Sequence, residues 1–296
     1  LPIGDYTFEA QVADRDLAYS DPISVNVRID PPYREIGLLT LLGIAGLGLV
    51  LAVHTAARRR RERDQAREQL LHELEGEMQV ARDLQMGLMP DGPPKLAGFS
   101  LAGRCLPAQQ VSGDLFRYFV QDDVLTVALA DVTGKAMEAA IPVVMFNGIL
   151  DSHVDLGGAV GELYERLNRA LFRALDKRTF ICLSMVKVAL SSRRLTVANG
   201  GCPYPYLYRA AAGTVEEIEV ISYPLGVSLQ STYQPAELDL ADGDCVVLLS
   251  DGIIEATTEE GEIFGYDRVL EVVRHGCTMN LTAAELLEHV LAAVQT

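Results

Sequence analysis

Residues 36–57 contain no Asp, Glu, Lys or Arg; the run reads IGLLTLLGIAGLGLVLAVHTAA, and His54 is its only titratable group. As a helix these 22 residues extend about 33 Å, enough to cross a hydrocarbon core about 30 Å thick. Gly37, Gly43, Gly46 and Gly48 would weaken a helix in water but are common in membrane helices. A buried helix of a soluble protein rarely runs this long without a charge, and a secretory signal would not follow a strand-like segment. The run therefore predicts one transmembrane helix over 34–57, and the rest of the chain is organised around it.

The charges flanking the span orient it. Arg58, Arg59, Arg60, Arg61 and Arg63 follow it, against Arg34 alone on the other side. The positive-inside rule then places residues 1–33 outside and everything after the span in the cytoplasm, a single-pass arrangement in a cytoplasmic membrane. The cysteines agree independently: Cys105, Cys182, Cys202, Cys245 and Cys277 all lie after the span and form no CxxC pair, which suits a reducing compartment. The formal net charge of −16 is unevenly divided, being −4 over residues 1–33, zero over 34–89 and −12 over 90–296. An acidic inner part argues against nucleic acid as a partner, because phosphates would be repelled. The arginine cluster has the composition of a contact with membrane lipid. The chain opens on Leu1 rather than Met, as a fragment would.

Outside the membrane, Tyr6–Val12 and Ile23–Ile29 alternate apolar and polar residues around a turn-rich stretch, a hairpin pattern. So short a segment cannot form a stable sandwich alone, and residues 1–33 read as the end of a larger extracytoplasmic β domain. Residues 58–89 read as a linker helix whose apolar stripe (Leu70, Leu74, Met78, Ala81, Leu84, Leu88) suits a paired helix or coiled coil, hence a homodimer through this segment, the alternative being a lone helix docked on the following domain. Pro90 and Gly92-Pro93-Pro94 end it.

From residue 90 to 296 the pattern mixes hairpins and helices. Strand-like runs fall at 115–120, 124–132, 180–189, 194–199, 206–210, 215–221, 233–240 and 245–250, and helical periodicity at 136–153, at 158–175 and near the end. There Thr282 and Glu285 have the spacing of a capping box. Neighbouring hairpins with segregated helices indicate an α+β fold built on antiparallel sheets. Within it three aspartates stand at strand ends beside glycine turns: Asp114 in VSGDLF, Asp131 in VALADVTGK and Asp251 in VVLLSDGIIEA. Aspartate at a strand end often only makes a turn. Three in similar context point to clustered carboxylates, which repel one another unless a cation such as Mg²⁺ or Mn²⁺ joins them. No GxSxG motif and no cysteine in a phosphate-loop context offers a covalent nucleophile instead.

These stretches also carry a resemblance. AxxxQxxLMP (Ala81 to Pro90), VSGD, ADVTGK, RTFICLSMVKV, VANGG, YPLGV, LADGDCVVLLSDGIIEA and GEIFGYDRV run in the order found in bacterial serine/threonine protein phosphatases of the PP2C superfamily, in the SpoIIE/RsbU branch. LPIGDYTFEAQV and VRIDPPY resemble the end of a triple-tyrosine sensor domain. The resemblance implies a central antiparallel β-sandwich flanked by helices and hydrolysis of a phosphoserine or phosphothreonine by a water activated by two Mn²⁺ or Mg²⁺ ions. It gives Asp131 the role of bridging the metals, with the Val132 carbonyl as a further ligand, and assigns Asp114 and Asp251 one metal each. Gly113, Gly134 and Gly252 would let the backbone approach the ions. The implied partner is a phosphorylated protein, in this branch an anti-sigma-factor antagonist.

Departures accompany the match. Arg117 stands where many relatives have a second acidic residue, Ala136 replaces a common glycine, Cys202 a common histidine, and Pro142 is expected to interrupt the following helix. Family members also carry a last strand with an Asp-Asp pair, not reached by Thr296, so weak binding of one metal is expected of this segment. Two rival readings remain at this level. Leu71-His72-Glu73-Leu74 faintly resembles a histidine-kinase phosphoacceptor, but no asparagine-rich nucleotide box follows. The alternative is a catalytically silent module that binds a phosphoprotein.

Overall fold

A computed structural model describes residues 2–13, 19–29, 33–107, 111–134, 137–258 and 261–295. They divide into two compact units, Leu1–Glu73 and Leu74–Thr296.

In the first unit, β1 (Gly4–Ala10) and β2 (Ile23–Ile29) form the antiparallel hairpin their alternation predicts, in the register Gly4↔Ile29 to Ala10↔Ile23. The apolar run lies in α1 (Tyr33–Met86), one unbroken helix where the sequence suggested a span and a separate linker. The polar stretch after the apolar run contains neither Pro nor Gly until Gly76, so nothing in it stops the helix. From Gly37 onward this helix is long and apolar enough to cross a bilayer, with an 18-residue window of mean hydropathy 2.1, none of it buried. The unit boundary falls inside α1, and its last turns belong to the second unit.

The second unit is a four-layer sandwich. Its larger sheet has the strand order β3 (Asp114–Gln121), β4 (Val124–Val132), β5 (Ile181–Ala189), β6 (Arg194–Gly200) and β9 (Ala236–Asp239), every neighbouring pair antiparallel. The smaller sheet has the order β10 (Cys245–Val247), β7 (Tyr206–Arg209) and β8 (Thr214–Glu217). Strand periodicity sends alternate side chains to opposite faces. Val186 and Val188 of β5 and Leu195 and Val197 of β6 meet Leu207, Ile218 and Val220 between the sheets. Leu183, Met185 and Ala198 point the other way, onto Val143, Phe146 and Leu150 of α2 (Met137–Asp155) and Leu163, Leu167 and Leu171 of α3 (Val160–Ala174). On the far side Tyr206 and Tyr208 pack beneath Ile254 of α4 (Asp251–Ile254), Val269 and Val273 of α5 (Gly265–Thr278), and Leu286 and Val290 of α6 (Ala283–Val294). Both faces of the sheets are thus covered, which explains why β4 and β5 read as nearly continuous apolar runs.

Short polar devices set the ends. The hairpin tips use Asp122 at φ 49° and Arg193 at φ 59°, and the Ser191 amide donates to Asp123 Oδ1 at 3.1 Å, tying the two turns together. Asp244, in the DGD turn, accepts from the Ala210 and Ala241 amides and from Arg209, each at 3.0 Å, so it staples β7 to the entry of β10. The capping box forms: Glu285 N–H donates to Thr282 Oγ1 at 3.3 Å, and Thr282 N–H to Glu285 Oε2 at 2.8 Å. Pro142 does not break α2, which runs through it. It stands in the second turn, where the missing amide removes one helical hydrogen bond while the Val143–Phe146 face stays packed. Strands expected over 215–221, 233–240 and 245–250 are shorter, at 214–217, 236–239 and 245–247. Ala136 lies outside the described residues.

The central polar group of the α-side core is Tyr164, fully buried, with its hydroxyl 3.0 Å from the Leu183 carbonyl and 2.9 Å from that of Ala198. It joins α3 to the β5–β6 pair. Tyr164→Phe is expected to keep the fold and lower unfolding free energy by about 1–2 kcal/mol, read by urea denaturation. A loss below about 0.3 kcal/mol would show that this bond contributes no net stability.

Candidate metal centre

The antiparallel register of β3 and β4 places Asp114 directly opposite Asp131. Two carboxylates at a cross-strand pair repel each other. Neither forms an ion pair among the described residues. Burial, followed by the Asp131 charge, pushes the Asp114 carboxyl up to about 7, even though the Ser250 hydroxyl donates to Asp114 Oδ2 at 3.2 Å. Burial, followed by Asp251 and Glu255, raises Asp131 to about 6. Asp251 opens α4 next to Ser250, and its charge acts on both other aspartates. All three sequence-predicted aspartates thus stand in one neighbourhood, with Asp114 and Asp131 as direct partners. Among the described residues no three His, Cys, Asp or Glu side chains stand close enough together to hold a metal ion.

The backbone is shaped around the pair. A Cβ added to Gly113 would lie 2.5 Å from the Val132 carbonyl oxygen and 2.8 Å from Asp131 Oδ1, so only glycine lets that carbonyl and carboxylate approach the turn. The Val132 amide donates to the Gly113 carbonyl at 3.0 Å, closing the turn onto β4. Gly134 has φ 129°, a value side chains rarely adopt. Gly252 differs, for a Cβ there would meet only Ser250 Oγ at 3.8 Å, an ordinary contact within the protein.

Three groups around the centre were not assigned roles by sequence. Ser250, within the SDG stretch, supplies the hydrogen bond to Asp114. Glu255, in the same block, adds negative charge beside Asp131. Gln85, near the end of α1 and almost fully buried, forms a two-point amide bridge to the VSGD turn. Its Nε2 donates to the Ser112 carbonyl at 2.6 Å, and the Ser112 amide donates to Oε1 at 2.9 Å. The glutamine of AxxxQxxLMP was the available signal, but its partner is 27 residues away in sequence.

The departures fall outside the carboxylate pair. Arg117 turns to α2, donating to Asn147 Oδ1 at 2.6 Å and pairing with Asp151 at 3.1 Å. Cys202 is buried with its thiol 3.9 Å from the Leu129 carbonyl, and burial holds its proton well above the usual range. Cys182, the cross-strand partner of Asp131, is likewise raised by burial and by the Asp131 and Asp251 charges, to about 12. Thiols that stay protonated at neutral pH are poor nucleophiles.

The sign of the pH dependence follows. Asp114 and Asp131 hold protons in the folded chain up to about 7 and 6, against 3.8 ordinarily. The folded state therefore binds more protons than the unfolded one between these limits, and stability falls as pH rises through that window. Without metal, unfolding of the sandwich is expected at lower urea at about pH 8 than at about pH 5, and Asp114→Asn is expected to flatten the fall. An identical pH slope in the variant would show that the two carboxylates are not in conflict.

Comparison with known proteins agrees with this architecture. The sequence model of the family described as Stage II sporulation protein E (SpoIIE) matches residues 121–296, including Asp131 and Asp251 but beginning after Asp114. Phosphoserine phosphatase RsbU of Bacillus subtilis is 26% identical over 218 residues, covering 74% of this chain and 64% of that protein. The chain thus spans less than two thirds of this relative. Among solved structures, the SiaA-PP2C domain of Pseudomonas aeruginosa superposes with a TM-score of 0.65 at 22% identity, over 75% of this chain and 89% of that one. The PP2C phosphatase domain with a regulatory fragment of SpoIIE from Bacillus subtilis gives 0.51 at 17% identity, over 62% and 54%. These likenesses show a PP2C-type fold, and with more than half its length matched by the family model, the chain belongs to the SpoIIE family.

Proposed function

We propose that this chain is a membrane-anchored, metal-dependent protein serine/threonine phosphatase. The observation that carries the reading is the opposed, half-buried pair Asp114–Asp131 beside the Gly113–Val132 turn, with no Lys or Arg paired to it among the described residues. Such a donor set suits Mg²⁺ or Mn²⁺, hard ions that take oxygen ligands. Asp131 with the Val132 carbonyl, Asp114 and Asp251 would hold two ions. When bound, these ions supply a water acidic enough to attack phosphorus and positive charge for the transferred phosphoryl group.

The chain's own residues prepare that chemistry. Ser250 holds one oxygen of Asp114 by donating to it, leaving the other free to ligate. Gly113 gives the Val132 carbonyl room. Thr133, next along, exchanges hydrogen bonds with Phe180, with its amide 3.1 Å from the Phe180 carbonyl and its hydroxyl accepting from the Phe180 amide at 2.9 Å. This clamp fixes the end of β4 against β5. The protons carried by Asp114 and Asp131 must leave as cations enter.

The domain assignment accompanies this reading: 1–33 as the end of an extracytoplasmic sensor sandwich, 34–57 as the span, 58–89 as the linker and 90–296 as the phosphatase domain facing the cytoplasm of a bacterial inner membrane. The uncharged run and the arginines behind it support the orientation and a contact with lipid headgroups. Leu70, Leu74 and Leu84 remain exposed on α1, which supports a homodimer through that helix. The phosphoserine activity named for RsbU supports a phosphorylated protein as substrate, of the anti-sigma-factor-antagonist class.

Full-length chain in phospholipid nanodiscs is expected to hydrolyse a phosphoserine peptide with Mn²⁺ and not with chelator. Asp131→Ala is expected to lower kcat/KM about a thousandfold. Peptide binding without turnover in both proteins would favour the silent binding module.

A further inference from the structure

The segment between β8 and β9 holds a feature the metal centre does not explain. Residues 220–235, VISYPLGVSLQSTYQP, are the longest uncharged run of a region whose net charge over 90–296 is −12. Four large apolar side chains in it face solvent, with exposures of 83% for Ile221, 70% for Tyr223, 46% for Val227 and 52% for Leu229.

The backbone beneath them is pinned. Leu225 is fully buried and exchanges hydrogen bonds with Ile181, at 2.8 Å and 3.0 Å. Asn168, buried on α3, accepts from the Gly226 amide and donates to the Ser228 carbonyl, both at 2.8 Å. Pro224 leans on Gly201, where a Cβ would fall 2.5 Å from its ring. A loop so fixed that still shows four apolar side chains to water presents a surface, since no described residue covers them.

Its position relates it to the carboxylates. Ile181 is the cross-strand partner of Val132 on one side and bridges Leu225 on the other. Leu225 is therefore two inter-strand spacings, about 10 Å, from Val132. A bound extended peptide rises about 3.3 Å per residue, so the side chain about three positions from a phosphorylated residue would reach this rim. Charge selects the occupant as well. A phosphorylated segment carries about two negative charges and is repelled by an acidic surface, but not by an uncharged one. Four side chains fall far short of the roughly 800 Å² each partner gives to a stable complex, which suits brief reading of a substrate rather than a lasting dimer.

We propose that Ile221, Tyr223, Val227 and Leu229 form a specificity ledge that receives an apolar side chain about three residues from the phosphoserine or phosphothreonine of a protein substrate. The inference rests on the phosphatase reading of the carboxylate centre and adds to it the sequence class that the enzyme selects.

The test uses the full chain in nanodiscs with Mn²⁺ and three probes: p-nitrophenyl phosphate and two phosphoserine peptides differing only in Leu or Ser at the third positions on either side. Wild type should favour the leucine peptide about tenfold in kcat/KM, mostly through KM. The double variant Tyr223→Ser, Val227→Ser should bring that ratio close to one. Equal use of both peptides by wild type, or unchanged preference in the double variant, would overturn the ledge. Loss in proportion on all three probes would also overturn it, by tracing the effect to the metal centre. Unchanged selectivity with altered sedimentation or altered lipid partition would assign the surface to a second copy or to the bilayer and overturn it too. Failure of the underlying phosphatase reading is seen separately, as absence of Mn²⁺-dependent p-nitrophenyl phosphate turnover in wild type.

Discussion

Asp114 faces Asp131 across an antiparallel ladder, and that opposition governs the end of the sandwich where it occurs. Placing two carboxylates at one half-buried cross-strand pair is unfavourable, and both respond by holding their protons to higher pH. The surrounding structure preserves the conflict instead of relieving it. No Lys or Arg pairs with either group among the described residues, and Asp251 and Glu255 add charge of the same sign. The residues that could have separated the strands are absent, since Gly113 admits the Val132 carbonyl at a distance no side chain would allow. The site is a strained arrangement of negative groups, to which a divalent cation is the natural complement.

The layers of the fold make such strain tolerable. Each carboxylate is at the end of a strand anchored in the core, β3 by Leu115 and β4 by Ala128, Ala130 and Val132, so the repulsion works against the packing of β3, β4 and β5 with α2 and α3. The Thr133–Phe180 clamp and the Gln85 bridge fasten the two turns nearest the carboxylates. The bridge has a further meaning, because Gln85 belongs to α1, the helix that also carries the apolar run. Within the second unit, the last turns of α1 end on the backbone two residues before Asp114.

Much of this was legible in sequence for local reasons. VSGD and ALADVTG mark strand ends, and Asp114 and Asp131 do stand at the ends of β3 and β4, because an apolar run broken by Asp near Gly is a short-range signal. Asp251, expected at a strand end, instead opens α4 beyond the end of β10. The capping box of α6 and the hairpin at Asp122 were readable in the same way. What was hidden depends on contacts distant in sequence. Nothing near Gln85 names Ser112 as its partner, and nothing near Leu225 names Ile181. Pro142 read as a break because its lost hydrogen bond is local, while the compensating packing of Val143 and Phe146 is not. The strands β8, β9 and β10 ran shorter than their apolar runs because part of each run packs as irregular chain against the sheets, as Ile218 and Val220 do.

The central claim, that the Asp114–Asp131 conflict is resolved by a cation, is most directly tested by the protons released when Mn²⁺ binds. Calorimetric titration of the full chain in buffers of different ionisation enthalpy measures that number. With Asp114 holding a proton up to about 7 and Asp131 up to about 6, binding should release from the carboxylates about 1.4 protons per chain at about pH 6 and almost none above about pH 8. Binding with no proton release at the lower pH would contradict the account, as would release that persists unchanged in Asp114→Asn.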